Sequence, residues 1–300
     1  MNKHLINKNN LKVNKITYKS DSIILHTPLG LFIIKDNENI KLYDYLFSRG
    51  FNYFLPIIDY DNSSILFKYE EGLKYDINER ALDYIKLISL LHNKTSYYVN
   101  VTKEDNEKYY KKLINNLDNI KKYYDELSSL IENKDYYSPN EYLFIRNVSI
   151  IYKNIFNSYD LINKWYDKYK NNTRKRICTL FNNYDLNNVL RTKNNMYLYN
   201  FSNSYKDSPI YDLNNFYKKY YLDFNFKDLY NCYTKVIELN DYEKDLLIIL
   251  NIFPTKIIIK NNLEDIFEIK KKISKFYIDD DLLNFEKEKD RSTHKNKNNK

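Results

Sequence analysis

Phe181-Asn-Asn-Tyr-Asp-Leu-Asn-Asn-Val-Leu190 is polar in its middle and apolar at both ends. Ile177–Leu180 precedes it and Met196–Phe201 follows; both are apolar and too short to be helices. Asn suits turns because its short amide bonds the neighbouring backbone and tolerates left-handed dihedrals. The stretch therefore reads as strand pieces at 177–180, 189–190 and 196–201, separated by Asn-rich turns.

Working outward, the flanks are helical. Upstream, Arg80–His92 places Ala81, Tyr84, Ile85, Ile88 and Leu91 on one face. Glu107–Glu132 repeats that spacing with Tyr110, Leu113, Leu117, Ile120, Tyr124 and Leu127. Ser138-Pro139 opens a further helix running, with breaks, to about Tyr169. Downstream, Asp212–Tyr220, Phe226–Leu239 and Asp241–Leu250 are helical, and Pro254 is expected to open a last helical region ending near Glu286. The first seventy residues differ. Ser22–Thr27 and Leu31–Lys35 flank the turn signal Pro28-Leu29-Gly30, and Pro56–Tyr60 and Ser64–Tyr69 flank Asp61-Asn62-Ser63. Between the pairs, Asn39–Arg49 has helical spacing and Gly50 as its C-cap. The expectation is an α+β chain: a small β-rich lobe over 1–72, a larger, mostly helical lobe over 73–285 with the hairpin segment near 177–201, and a disordered basic tail over 286–300.

Composition narrows the chemistry. Of 300 residues only 3 are Gly, where average usage would supply roughly 21. Gly30, Gly50 and Gly72 each stand alone, so neither a G-x-G-x-x-G turn nor a P-loop can be written. Cys178, Cys232 and four scattered His give no zinc spacing and no disulfide framework. The 33 Tyr and 44 Asn, with Lys far above Arg, reflect A- and T-rich codons and suggest an AT-rich genome. The net charge of +8 includes +3 from the last fifteen residues. No Arg/Lys stripe interleaves with aromatics, so the surplus reads as a solvated surface, and nucleic acid is not the expected partner. The polar start has no signal-peptide core, and no apolar run approaches the ~20 residues of a membrane helix. A cytoplasmic protein is expected.

Five pieces, in order and at fitting intervals over roughly residues 20–280, resemble the kinase-like superfamily. The nearest resemblance is to aminoglycoside phosphotransferases and CotS-type spore-coat proteins. Ile24–Lys35 is similar to the strand–turn–strand ending in the phosphate-gripping Lys, and Ile85–Thr95 to the family's L-A-x-L-H helix. Phe181–Leu190 fits the frame of the catalytic loop H-G-D-x-x-x-x-N-[IV]-L. Tyr197–Phe201 fits the I-D-F strand, and Ser208–Leu213 the P-x-x-D-L helix start. The resemblance implies a two-lobed protein-kinase-like fold.

Its chemistry departs from the pattern. With Asn188 on the metal-binding Asn, the catalytic-base position holds Asn183, the preceding His position holds Phe181, and the second metal position holds Asn200. An amide is no general base near neutral pH, and Mg²⁺ is ordinarily held through carboxylates. Lys35 reads either as the phosphate-gripping residue or as an ordinary strand-end Lys. Glu38 is too early, and Asp44 too short, to be its acidic partner. Asn188 reads as a metal ligand or as a turn cap. His92 is expected to be a buried, hydrogen-bonded residue, and Asp212 to cap its helix. The leading expectation is a catalytically degenerate, pseudokinase-like protein with no cofactor, serving through a protein partner in binding or assembly, as in a spore coat. The alternative is an active small-molecule phosphotransferase using Mg²⁺ and ATP, with Asp185 as the rescued base and Asp207 as a further metal ligand.

Overall fold

The computed structural model describes residues 3–19, 22–36, 40–259 and 265–280. The tail expected over 286–300, and Glu38, lie outside the described residues. As expected, a small β-rich lobe precedes a larger, mostly helical one.

The N-terminal sheet has five antiparallel strands in the order β1-β2-β3-β5-β4. These are β1 (Lys15–Lys19), β2 (Ser22–Thr27), β3 (Gly30–Asp36), β4 (Ile57–Tyr60) and β5 (Ser64–Tyr69). Register follows burial. Leu25 opposes Phe32 and Ile34 opposes Leu66, so these four share a face. That face is covered by Leu5 and Ile6 of a short helix, α1 (Lys3–Lys8). Ile33 and Lys35 point the other way, toward the side of α2 (Ile40–Ser48). Gly50, at φ 74°, ends α2, with its N–H bonded to the Phe47 carbonyl.

The chain divides into two compact units, Met1–Val99 with Arg176–Glu238, and Asn100–Lys175 with Leu239–Lys300. In the first unit the sheet is joined by α3 (Ile77–Thr95), α7 (Ile210–Tyr220) and α8 (Phe226–Thr234). It also holds the hairpin β8 (Val189–Arg191) and β9 (Met196–Leu198), and β10 (Tyr205–Asp207). β10 pairs with β7 (Arg174–Leu180), which neighbours β6 (Tyr97–Asn100) in a three-stranded sheet. An aromatic cluster fills its centre. Tyr43 meets Phe54, Phe67 and Phe201 edge-on, and Phe201 meets Phe181 at 5.0 Å.

The second unit packs α6 (Val148–Tyr169) against α4 (Lys103–Glu132) and α9 (Asp241–Ile252), with α5 (Pro139–Arg146) beside them. Capping boxes at Thr102/Asp105, Ser138/Glu141 and Asn240/Glu243 start α4, α5 and α9. Asn147 marks the expected break between α5 and α6. Pro254 does not open a helix: 253–259 is extended and irregular, and the next helix, α10, covers 265–280. Tyr124 holds that segment, its hydroxyl donating to the Thr255 carbonyl at 2.6 Å and accepting the Ile257 N–H at 3.0 Å.

Candidate functional site

The loop between β7 and β8 is fixed from beneath by one carboxylate. Asp212, on the first turn of α7, is 1% exposed. Its Oδ2 accepts the Phe181 N–H at 2.8 Å, and its Oδ1 the Asn182 N–H at 3.0 Å and the Tyr184 hydroxyl at 3.1 Å. His92 Nε2 lies 3.1 Å from Oδ2, and its Nδ1 2.8 Å from the Tyr233 hydroxyl. Both Asp212 oxygens already accept backbone N–H groups, so the bond from His92 is donated by its Nε2. The burial and bonding expected of His92 are observed. The cap expected of Asp212 is not. The helix starts at Ile210 behind Pro209, which places Asp212 inside the first turn and aims it at the loop.

The loop is tied on its other side as well. Asn215 Nδ2 donates to the Tyr184 hydroxyl at 2.9 Å, and the Tyr220 hydroxyl donates to the Tyr184 carbonyl, also at 2.9 Å. Burial and the nearby Asp212 charge push the Tyr184 phenol well above its ordinary pKa, so it stays protonated.

Three asparagines converge above this base. Asn188 Nδ2 donates to Asn183 Oδ1 at 2.8 Å, and Asn183 Nδ2 faces the Asn200 carbonyl at 3.4 Å. Asn182 and Asn200 take φ values of 49° and 76°, left-handed dihedrals that Asn accepts more readily than most residues. The Ser202 hydroxyl holds the Asn200 side chain through its Oδ1 at 2.7 Å. Lys35 is brought in from the sheet, its Nζ 5.1 Å from the ring centre of Tyr199, the residue before Asn200. The Tyr199 N–H bonds the Asn188 carbonyl at 3.1 Å, which closes the cluster. Phe181 is fully buried in the aromatic centre, so a packing residue fills the position preceding the loop.

Asp185 adjoins this cluster through its backbone, its N–H facing Asn183 Oδ1 at 3.4 Å and its carbonyl accepting the Asn188 N–H at 2.9 Å, while Asp207 and Asp44 lie on other elements. Asp185 is exposed and caps the 3₁₀ turn Leu186–Asn188, its Oδ1 accepting the Asn187 N–H at 2.9 Å. Asp207 lies on β10 opposite Cys178, its Oδ1 accepting the Ser208 N–H at 2.7 Å. Asp44 is exposed on α2. The structure brings Asn183, Asn188 and Asn200 together and sets Lys35 against the neighbouring Tyr199. The supporting roles of Asp212, Tyr184 and Tyr199 were not foreseen, although the P-x-x-D-L register already singled out Asp212.

The donor chemistry decides what can be held here. Mg²⁺ is bound through one or two carboxylates together with water and phosphate oxygens. Asn183, Asn188 and Asn200 offer amides, and the Asn183 oxygen already accepts from Asn188. These residues do not fit Mg²⁺. Among the described residues no group of three or more His, Cys, Asp or Glu is placed to hold a metal.

The link into α3 is equally fixed. A Cβ added to Gly72 would come within 2.5 Å of Leu190 Cδ1, so a larger residue here requires the Leu190 side chain to turn aside. The Leu73 N–H donates to the Arg191 carbonyl at 2.7 Å. Arg191 grips Asp83 with Nε and Nη2, both at 2.7 Å, reaches Glu79 with Nη1, and lies 4.3 Å from the centre of the Tyr75 ring.

No family model matches the sequence, and no curated protein matches it. Solved structures do. An aminoglycoside phosphotransferase from Alicyclobacillus acidocaldarius superposes with a TM-score of 0.60 at 8% identity, over 90% of this chain and 89% of that one. An AMP-bound spectinomycin phosphotransferase gives 0.48 at 11% identity, over 92% and 98%. The choline kinase LicA from Streptococcus pneumoniae gives 0.45 at 12% identity, over 90% and 89%. No helix among the described residues is long and apolar enough to cross a membrane. The first superposition, together with the sheet, loop and helix order above, establishes that this chain has the kinase-like fold in the form seen in an aminoglycoside phosphotransferase.

Proposed function

We propose that this kinase-fold chain does not transfer phosphoryl groups and serves as a binding or assembly component with a protein partner. One observation carries the reading: where a kinase needs a base and metal carboxylates stand the amides Asn183, Asn188 and Asn200, with Asn183 bonded to the Asn188 side chain and facing the Asn200 main-chain carbonyl. An amide takes no proton from a substrate hydroxyl near neutral pH, so the loop keeps its shape and lacks its acid–base chemistry. The resemblance to CotS-type spore-coat proteins directs the search for a partner to coat assembly, with a cytoplasmic origin for the chain.

Thermal melting with and without millimolar Mg²⁺-ATP tests this. The native chain is expected to show no Mg²⁺-dependent rise in Tm. Restoring the acids, as Asn183→Asp/Asn200→Asp, is expected to create one, since a ligand at 100 times its Kd stabilises by about 2.7 kcal/mol. A clear Mg²⁺-dependent rise in the native chain, or phosphate transfer abolished by Asp185→Ala, overturns the proposal in favour of an active small-molecule phosphotransferase.

A further inference from the structure

Away from the asparagine cluster, the ends of α2 and α3 meet β10. Lys206 on β10 lies with Nζ 4.5 Å from the ring centre of Tyr45 and 5.7 Å from that of Tyr97. Arg49 follows Tyr45 by four residues, on the same side of α2 as its last turn runs out. Its Nε donates to the Lys94 carbonyl at 3.0 Å. The Lys94 ammonium sits beside the end of α2, 4.0 Å from where a Cβ on Gly50 would be. Tyr45 joins the two helix ends through its hydroxyl, 3.5 Å from the Thr95 carbonyl.

Three cations are thus gathered here, all exposed. Among the described residues none of them has a carboxylate within salt-bridge distance. Helix ends explain how they stand together without acids. The last carbonyls of α2 and α3 carry partial negative charge that favours Arg49 and Lys94, and the ring faces of Tyr45 and Tyr97 favour Lys206. Asp207 follows Lys206, but its Oδ1 accepts the Ser208 N–H, and alternation along the strand sends it to the other face. Tyr97, 38% exposed, adds apolar area next to the charge.

We infer that this shelf of Arg49, Lys94 and Lys206 on Tyr45 and Tyr97 docks an acidic, aromatic-containing segment of a partner protein. Charge complementarity selects the occupant. Carboxylates supply the missing counter-charges of all three cations, while a ring on the segment covers the open side of Tyr97. The shelf uses nothing from the asparagine cluster, so it stands whether or not that cluster is catalytically silent.

Fluorescence anisotropy with a labelled peptide of alternating Glu and Phe tests the docking on the full chain. Binding is expected to weaken about tenfold in Arg49→Glu/Lys206→Glu, and by a similar factor as salt rises from about 50 to about 300 mM. Lys206→Gln, a milder change with an unaltered melting curve, is expected to weaken it about threefold. Asn183→Asp/Asn200→Asp is expected to leave it unchanged, which separates this outcome from that of the proposed function. Absence of peptide binding, binding indifferent to the charge reversal, or stronger binding of a single-stranded oligonucleotide at the same residues overturns the inference.

Discussion

Asp212→Ala removes the acceptor that holds the loop between β7 and β8 from beneath. Three donors lose it together, the Phe181 and Asn182 N–H groups at 2.8 and 3.0 Å and His92 Nε2 at 3.1 Å, while the Tyr184 hydroxyl keeps Asn182 Oδ1 at 2.8 Å. Each buried donor left without a partner costs about 1–3 kcal/mol, and relaxation or an entering water recovers part of the sum. Breaking a buried pair by deleting one member costs about 3–5 kcal/mol, so about 4 kcal/mol is expected here. At this chain length, with about 2.1 cal/mol/K of unfolding entropy per residue, that lowers Tm by about 6 °C in a far-ultraviolet circular dichroism melt. Asp212→Asn keeps one accepting oxygen and turns an NH₂ toward donors, so a loss of about half as much is expected. A second readout is specific to the mechanism. The His92 Nε2 proton, buried against the carboxylate, should give a slowly exchanging NMR resonance that disappears in both variants. A melt for Asp212→Ala within about 2 °C of the native chain, with that resonance retained, would refute the claim that this carboxylate organises the loop.

Three further outcomes follow from the same structure. Gly72→Ala drives a methyl into Leu190 Cδ1 and should cost about 1–2 kcal/mol; in a Leu190→Ala background most of that cost should vanish, measured as a double-mutant cycle in urea. Arg191→Lys loses the two-pronged grip on Asp83 and the contact with the Tyr75 ring, and about 1–2 kcal/mol of stability should go with them, read from the same titration. Glu141 is held below its ordinary 4.5 by the hydrogen bond from Lys134 and then by the Ser138 N–H. Because its pKa is lowered in the folded state, that stabilisation is complete above about pH 4.5 and fades as pH falls through the lowered value. Glu141→Gln should therefore flatten this part of the acid limb of a Tm-against-pH curve, and an unchanged limb counts against the assignment.

Much of the fold was legible because burial imposes period. The hairpin at 22–36, the pair at 57–69 and the amphipathic faces of α3, α4 and α6 all follow from apolar spacing. Elements without that spacing were missed. α1 buries only Leu5 and Ile6, and β6, Tyr97–Asn100, has no buried residue. β10 is three polar or aromatic residues among Asn-rich turns, held by its partner β7 and invisible without it. Pro254 misled for a physical reason. Proline suits a helix start, but here the segment after it is kept extended by Tyr124, some 130 residues away in sequence. At the site, Lys35, Asn183, Asn188 and Asn200 were singled out by the resemblance, which sets each on a position of the family's motif frame. The second task of Asp212 was missed, since a carboxylate at a helix start has capping as its local reading, and only the tertiary structure reveals the loop above it.

The interleaving of the two units governs how this chain can be made. The first unit needs both Met1–Val99 and Arg176–Glu238. On the ribosome, α3 emerges long before the strands and helices it packs against. At elongation rates of about 5–20 residues per second, His92 waits on the order of ten seconds for Asp212 and Tyr233. Through that interval the apolar face of α3, with Tyr84, Ile85, Ile88 and Leu91, has nothing to bury it, while the inserted helices of the second unit are being synthesised. The nascent chain is thus a client for chaperones by its connectivity alone, and slowing translation between residues 100 and 175 should lengthen its exposure and lower its soluble yield.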